Sequence, residues 1–189
     1  MTVRAESAAR TGERILDATV ALFWERPTDR LSLEDVASRA DVSVQTVIRR
    51  FGGKEALLVA AVEREAQRIG AQRAAAPVGD VVGVVRVLVD HYEEMGDKVL
   101  AMLAAEQQVP GLAPLVDRGR QVHRDWCRAT FAPALTARRG VERARLLAQL
   151  VAVCDVQTWR LLRRDAGLSR RQTEMALTEL LEPLMEDPR

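Results

Sequence analysis

Between Ser32 and Phe51 two short stretches with helical apolar spacing are separated by only three residues, Asp41-Val42-Ser43. Three residues leave room for a tight turn and nothing more, so the two stretches must pack as crossing neighbours. Ser32-Leu33-Glu34-Asp35 has the form of a capping box, with Asp35 where Glu is commoner, and opens the first stretch. Its buried face is Leu33, Val36, Ala37 and Ala40, with Ala37 small enough for a close crossing. The second stretch runs from about Val44 to Phe51 and stops at Gly52-Gly53. Val42 plugs the turn, and Val47 and Phe51 anchor the second helix to the core.

The flanks continue the helical pattern. Residues 11–26 place Ile15, Ala18, Thr19, Leu22 and Phe23 on one face, with Thr11 as a cap and Pro27 beyond the end. Lys54-Glu55 opens a helix to about Arg73, and 74–79 reads as a connector. Five further helices are expected over 80–98, 99–108, 114–136, 141–165 and 169–186. They are punctuated by Pro110-Gly111, Pro114, Gly140 and Gly167-Leu168-Ser169, and Pro133 should kink or end the third. With no convincingly alternating segment, the expected fold is all-α: a three-helix helix-turn-helix domain and a helical bundle, about nine helices. The domains are expected at 1–55 and 74–189, with helix 54–73 linking them.

Composition excludes several classes. In 189 residues, 48% are hydrophobic but only 4% aromatic, so a core must be built from Leu, Val and Ala. A net charge of +1 gives no global pull toward nucleic acid, so any such binding needs a local patch. Cys127 and Cys154 are too few for a disulfide framework. The polar start lacks a signal-peptide core, and no apolar run nears the roughly 20 residues that span a bilayer. The longest candidate, Val81 to Val89, is broken by Gly83 and Arg86. The expectation is a cytoplasmic, reduced protein without a membrane segment.

The patch exists where the short helices place it. Between Ser43 and Lys54 there are three basic residues and no acid. With Val47 and Phe51 inward, Ser43, Val44, Gln45, Thr46, Ile48, Arg49 and Arg50 face outward or sideways, as a helix entering a major groove requires. Ser43 and Thr46 suit phosphates, and Arg50 and Lys54 can neutralise them, Lys54 at a helix start that itself favours anions. Gln45 can pair bidentately with adenine. Ser32, at the start of the preceding helix, completes the candidate DNA-contacting set. The alternative is a helical bundle with Arg49 and Arg50 as solvated surface and Ile48 as core.

From Thr11 to Leu58 the chain resembles the DNA-binding domain of the tetracycline-repressor (TetR) family. The matching pieces are Glu13-Arg14-Ile15-Leu16-Asp17-Ala18 with Leu22-Phe23, Leu33 to Ala40, Val42-Ser43 with Thr46, and Phe51-Gly52-Gly53-Lys54-Glu55-Ala56-Leu57-Leu58. Three positions depart from the family's usual pattern: Asp41 stands for glycine, Ile48 for the tyrosine that often touches DNA, and Arg50 for histidine. Ile48 can pack on a thymine methyl, and Arg50 adds a permanent charge, so the resemblance implies an unusual operator preference.

The same resemblance implies a C-terminal helical bundle with an effector pocket and a homodimer interface built from the last two helices, here 141–186. It implies a repressor bound to a palindromic operator in double-stranded DNA and released by a small-molecule effector. The doubled apolar faces agree: Leu146, Leu147, Leu150, Trp159, Leu161 and Leu162 on one helix, Met175, Leu177, Leu180, Leu181 and Leu184 on the next. A monomeric bundle is the alternative. Two stripes offer pocket residues, His91, Met95 and Met102 with Leu88, and His123, Trp126 and Thr130. Adaptable Met, a broad Trp and a few polar groups suit a small-molecule site, although such stripes also make plain core. His91 and Glu94 share a face without the further acids of a di-metal bundle, so no metal and no cofactor is expected. An all-α enzyme would need a nucleophile with its base or a metal cluster, and no such spacing occurs. A DNA-binding dimer without an effector is the remaining alternative.

Overall fold

The structure, a computed structural model, describes residues 2–25, 31–108 and 112–186, with side chains from residue 6 onward. Among these residues there are ten α-helices, one π-helical turn and no strand. In order they are α1 (Thr2–Glu25), α2 (Leu33–Arg39), α3 (Val44–Phe51), α4 (Lys54–Arg73), α5 (Val81–Ala105), α6 (Ala113–Thr130), α7 (Ala132–Thr136), α8 (Gly140–Val153), α9 (Val156–Arg160) and α10 (Arg170–Met185), with the π turn at Leu161–Asp165. The all-α expectation holds. No described helix is long and apolar enough to cross a membrane.

The chain forms two compact units. The first comprises Met1–Arg68 with Ala105–Leu115, the second Ile69–Ala104 with Val116–Arg189, so the division falls inside α4. The core of the first unit is Ile15, Ala18 and Leu22 of α1, Val36 and Ala37 of α2, Val47 of α3, and Leu57 and Ala61 of α4. Apolar side chains recur at three- and four-residue spacing on each helix, which gives each one a stripe to bury. Polar clasps hold the short helices in place. Arg14 donates to the carbonyls of Ala40 and Asp41 at 2.7 and 2.9 Å, capping the end of α2. Arg64 of α4 bonds Asp17 at 2.7 Å and Glu13 at 3.2 Å on α1.

The second unit gathers Val84, Val85, Leu88, Val89 and Tyr92 of α5, Trp126 and Cys127 of α6, Leu146 and Leu150 of α8, Trp159 of α9, and Leu177 and Leu181 of α10. Trp159 is fully buried, and a Cβ on Gly96 would stand 2.5 Å from its ring, so α5 must present glycine there.

Several helix ends differ from expectation. α1 begins at Thr2, nine residues before Thr11, because 4–10 are mostly good helix formers; the Thr11 hydroxyl donates to the Ser7 carbonyl inside the helix and caps nothing. α5 runs unbroken through residues 98 and 99, where no breaker stands. α6 ends at Thr130, and Pro133 lies in the first turn of α7, the helical position that needs no N–H. The expected helix over 141–165 is cut at Cys154–Asp155: the Asp155 carboxylate caps α9 by accepting from Gln157 N at 2.8 Å, and the buried Tyr92 hydroxyl donates to the Cys154 carbonyl at 2.9 Å. Pro27 and Pro110-Gly111 lie outside the described residues.

Candidate nucleic-acid interface

Two caps and one left-handed residue shape the helix-turn-helix. Ser32 caps α2 in a complete capping box: Asp35 N donates to Ser32 Oγ at 3.1 Å, and the Ser32 hydroxyl and N–H both donate to the Asp35 carboxylate. At the turn Asp41 adopts φ 52°, the conformation for which the family usually has glycine. Ser43 then caps α3, its Oγ accepting from Thr46 N at 3.2 Å and lying 2.8 Å from the Thr46 hydroxyl. Gly52 ends α3 at φ 89°.

This frame sorts the side chains of α3. Val47 is fully buried, and Val44 and Phe51 pack against the first core. Gln45, Ile48 and Arg49 are exposed at i, i+3 and i+4, which puts them on one outward face. Ile48 is 38% exposed, so it is no core residue. Thr46 and Lys54 are half-buried, Lys54 as the first residue of α4. Arg50 takes a different course from its neighbours. Its guanidinium lies on α1 at Gly12, where a Cβ would stand 2.4 Å from Nε, and stays 6.0 Å from the Phe51 ring. It braces α3 against α1 in this conformation.

The six residues expected around a ligand divide differently. His91, Met95, Trp126 and Thr130 are buried, while Met102 and His123 are half-buried. A cavity of about 280 Å³ in the second unit is lined by Asp80, Val81 and Val84 of α5's start, by Thr130, Phe131 and Ala134, and by Met185. Of the six, only Thr130 reaches its wall.

His123 and Trp126 instead meet a residue that sequence reasoning missed. Arg73, the last residue of α4, is 4% exposed. Its guanidinium carbon is 5.3 Å from the Tyr92 ring centre and 5.0 Å from that of Trp126. Its Nη1 is 3.2 Å from His123 Nδ1, and Trp126 Nε1 donates to its carbonyl at 3.2 Å. Cys127 Sγ is 3.8 Å from His123 Nε2. A hydrogen bond from Cys154 lowers the Cys127 thiol pKa against the effect of burial, and His123 and Arg73 add to the lowering; the Cys154 thiol is raised. Burial pushes the Tyr92 hydroxyl up although Arg73 opposes it. An arginine inside an otherwise ordinary helical stretch carries no local sign of burial, which is why periodicity passed over it.

Two short helices joined by a tight turn, with the second presenting a polar and basic outer face, form a helix-turn-helix. Residues 15–61 match the family profile of bacterial regulatory proteins, tetR family. Over 67 residues the chain is 42% identical to the HTH-type transcriptional repressor KstR of Mycolicibacterium smegmatis, covering 35% of this chain and 33% of that one. It is 47% identical over 57 residues to the KstR of Rhodococcus jostii, covering 30% and 27%. The matched part thus spans about a third of those relatives' length. Along most of its length the fold is similar to a transcriptional regulator from Pseudomonas aeruginosa, with a TM-score of 0.69 at 18% identity, covering 92% of this chain and 89% of that one. The fatty acid degradation regulator FadR from Bacillus halodurans gives 0.60 at 17%, covering 90% and 93%. Residues 15–61 thus carry the likeness to tetR-family regulatory proteins, and the relatives matched there are transcriptional repressors.

Proposed function

We propose that this protein is a transcriptional repressor that binds a palindromic operator as a homodimer and is released by a small-molecule effector. The observation that carries the DNA reading is the division of α3, with Val47 fully buried and Gln45, Ile48 and Arg49 together on the exposed face. In this reading Gln45 contacts adenine, Ile48 a thymine methyl, and Arg49, Arg50 and Lys54 the phosphates, with Ser32, Ser43, Val44 and Thr46 at the rim. Residues 1–55 read DNA, 74–189 sense and dimerise, and helix 54–73 joins them. Support for the dimer comes from Leu161, Met175 and Leu180, which remain 60%, 53% and 47% exposed although most other apolar residues of 141–186 serve the unit's own core. Apolar side chains of that size, left on one stretch of chain, suit a self-complementary surface.

Release needs a ligand whose preference for the DNA-free form is worth about 1–3 kcal/mol. A dimer without an effector is the second reading, supported by the burial of His91, Met95 and Trp126 in the core. The test of the main reading is selection of operator fragments from a random pool, followed by two variants. Lys54→Ala should weaken every sequence and lower the salt slope by roughly one counterion per subunit. Gln45→Ala should relax preference at one defined base pair, by about 1–3 kcal/mol. A uniform loss in both variants removes Gln45 as the base reader, and a pool that yields no selected sequence overturns the function.

A further inference from the structure

The chain has two cysteines, and the fold brings both into one core from different elements. Cys127 lies on α6 and Cys154 at the end of α8, both fully buried, with a hydrogen bond between their thiols. Thiols in plain apolar surroundings are inert, but this pair has polar neighbours. Arg73 Nη1 lies 3.2 Å from His123 Nδ1. A guanidinium has only donors, so Nδ1 accepts, the imidazole is neutral and its proton sits on Nε2. That nitrogen lies 3.2 Å from the Val151 carbonyl and 3.8 Å from Cys127 Sγ. Cys127 thus accepts from Cys154 and is approached by the His123 N–H, with the charge of Arg73 close by. Together these hold its thiol well below the usual range against the effect of burial. The hydrogen bond to Cys127 and burial keep the proton on Cys154.

We propose that Cys127 and Cys154 are a redox-active dithiol that hydrogen peroxide closes to a disulfide, with Cys127 attacking and Cys154 resolving. The Cys127 thiolate attacks one peroxide oxygen; an S–O bond forms, the O–O bond breaks, and the departing hydroxide takes a proton from solvent. Cys154 then loses its proton as its sulfur attacks the Cys127 sulfur; the S–S bond forms, the S–O bond breaks, and a second water leaves. Two thiols are oxidised by two electrons and one peroxide is reduced to two waters. Burial of both sulfurs selects the oxidant: an uncharged molecule little larger than water passes through local openings that a bulky disulfide cannot use. Half-buried His123, one turn before Cys127 on α6, marks the side from which it enters. Closure brings the sulfurs to about 2.0 Å. Cys154 stands at the break between α8 and α9, where a small backbone shift disturbs the fewest ladder bonds. Closure also removes the negative charge near Arg73, so the oxidised protein holds the end of α4 less firmly.

The test uses the full chain and its Cys127→Ser and Cys154→Ser variants, treated with hydrogen peroxide and read by intact mass and peptide mapping. The folded, reduced parent should lose two hydrogens and gain one Cys127–Cys154 link that dithiothreitol reverses. It should react roughly tenfold faster than the same chain unfolded in urea, because only the folded state favours the thiolate. Cys154→Ser should stop at a sulfenic acid on Cys127 that dimedone captures, and Cys127→Ser should leave Cys154 unoxidised. The comparison of folded with unfolded parent needs neither variant, so it decides the matter even where a variant fails to fold. A link between two chains, oxidation no faster than in urea, or a sulfenic acid on Cys154 overturns the proposal. Oxidised glutathione, too bulky for the buried pair, should leave the folded parent unchanged; reaction as fast as with peroxide overturns the choice of oxidant. Amide exchange at residues 69–73 should rise severalfold on oxidation, and unchanged exchange overturns the link to α4.

Discussion

The first unit ends its helices with signals carried by the ends themselves. Ser32 and Ser43 cap α2 and α3, Asp41 takes the left-handed turn and Gly52 stops α3, all between Leu31 and Lys54. In the second unit Asp155 and Ser169 cap α9 and α10 in the same local way, but the boundary of α8 is made at a distance. α8 starts without a side-chain cap, and where it ends, the Cys154 carbonyl is held by Tyr92, 62 positions away in the chain. The π turn that follows α9 directs Arg163 and Arg164 onto Glu93 and Asp97 of α5. A surface that must read a fixed object benefits from a locally determined frame. On the proposed function, a bundle that admits an effector would be held by long-range contacts, which can change together.

This contrast yields predictions. The largest effect is expected from Trp159→Ala, which empties a fully buried site between Gly96 and Glu93 and should cost about 3–5 kcal/mol. Native-state hydrogen exchange should show the loss in α5 and α10, with α2 and α3 keeping their protection. Equal loss in α2 and α3 would mean that the two units unfold as one, and the contrast would fail. A smaller effect is expected from Leu180→Glu, which removes an apolar contact of about 1.5–3 kcal/mol and places like charges near a two-fold axis. In sedimentation the parent should run at about twice the 21.0 kDa chain mass and the variant nearer the single mass. A variant as dimeric as the parent would move the interface off this face. The smallest change is expected from Asp41→Gly. Relief of the left-handed conformation should stabilise the first unit by up to about 1 kcal/mol in denaturant unfolding, offset in part by the freer unfolded chain. A loss of stability would show that the Asp41 side chain contributes more than its backbone costs.

Much of the candidate DNA-contacting surface was legible because its determinants are local. A cap acts over three residues and a helix face repeats every three or four, so Ser32, Val47, Gly52 and the outward Gln45 follow from spacing alone, whereas Ser43, read as a phosphate contact, turns out to cap α3. Arg50 did not, because its seat is Gly12 on another helix, and pairing between helices is not a local property. The ligand stripes fared as the second unit's helix ends did. Residues of one face were grouped correctly as inward, yet His91, Met95 and Met102 do not line the cavity that Thr130 lines.

The sequence by itself determined that this chain is helical, where its first short helices begin and end, and which face of α3 stays polar. Those outcomes depend on propensities, caps and apolar periods that act within a turn or two of helix. Only the tertiary structure decided that α8 breaks at Cys154, that the terminal apolar helices bury most of their surface in their own unit, and that Arg73 lies between Tyr92 and Trp126. Burial is a property of what packs from elsewhere in the chain, and a guanidinium buried among aromatic rings has the same local sequence as one in water.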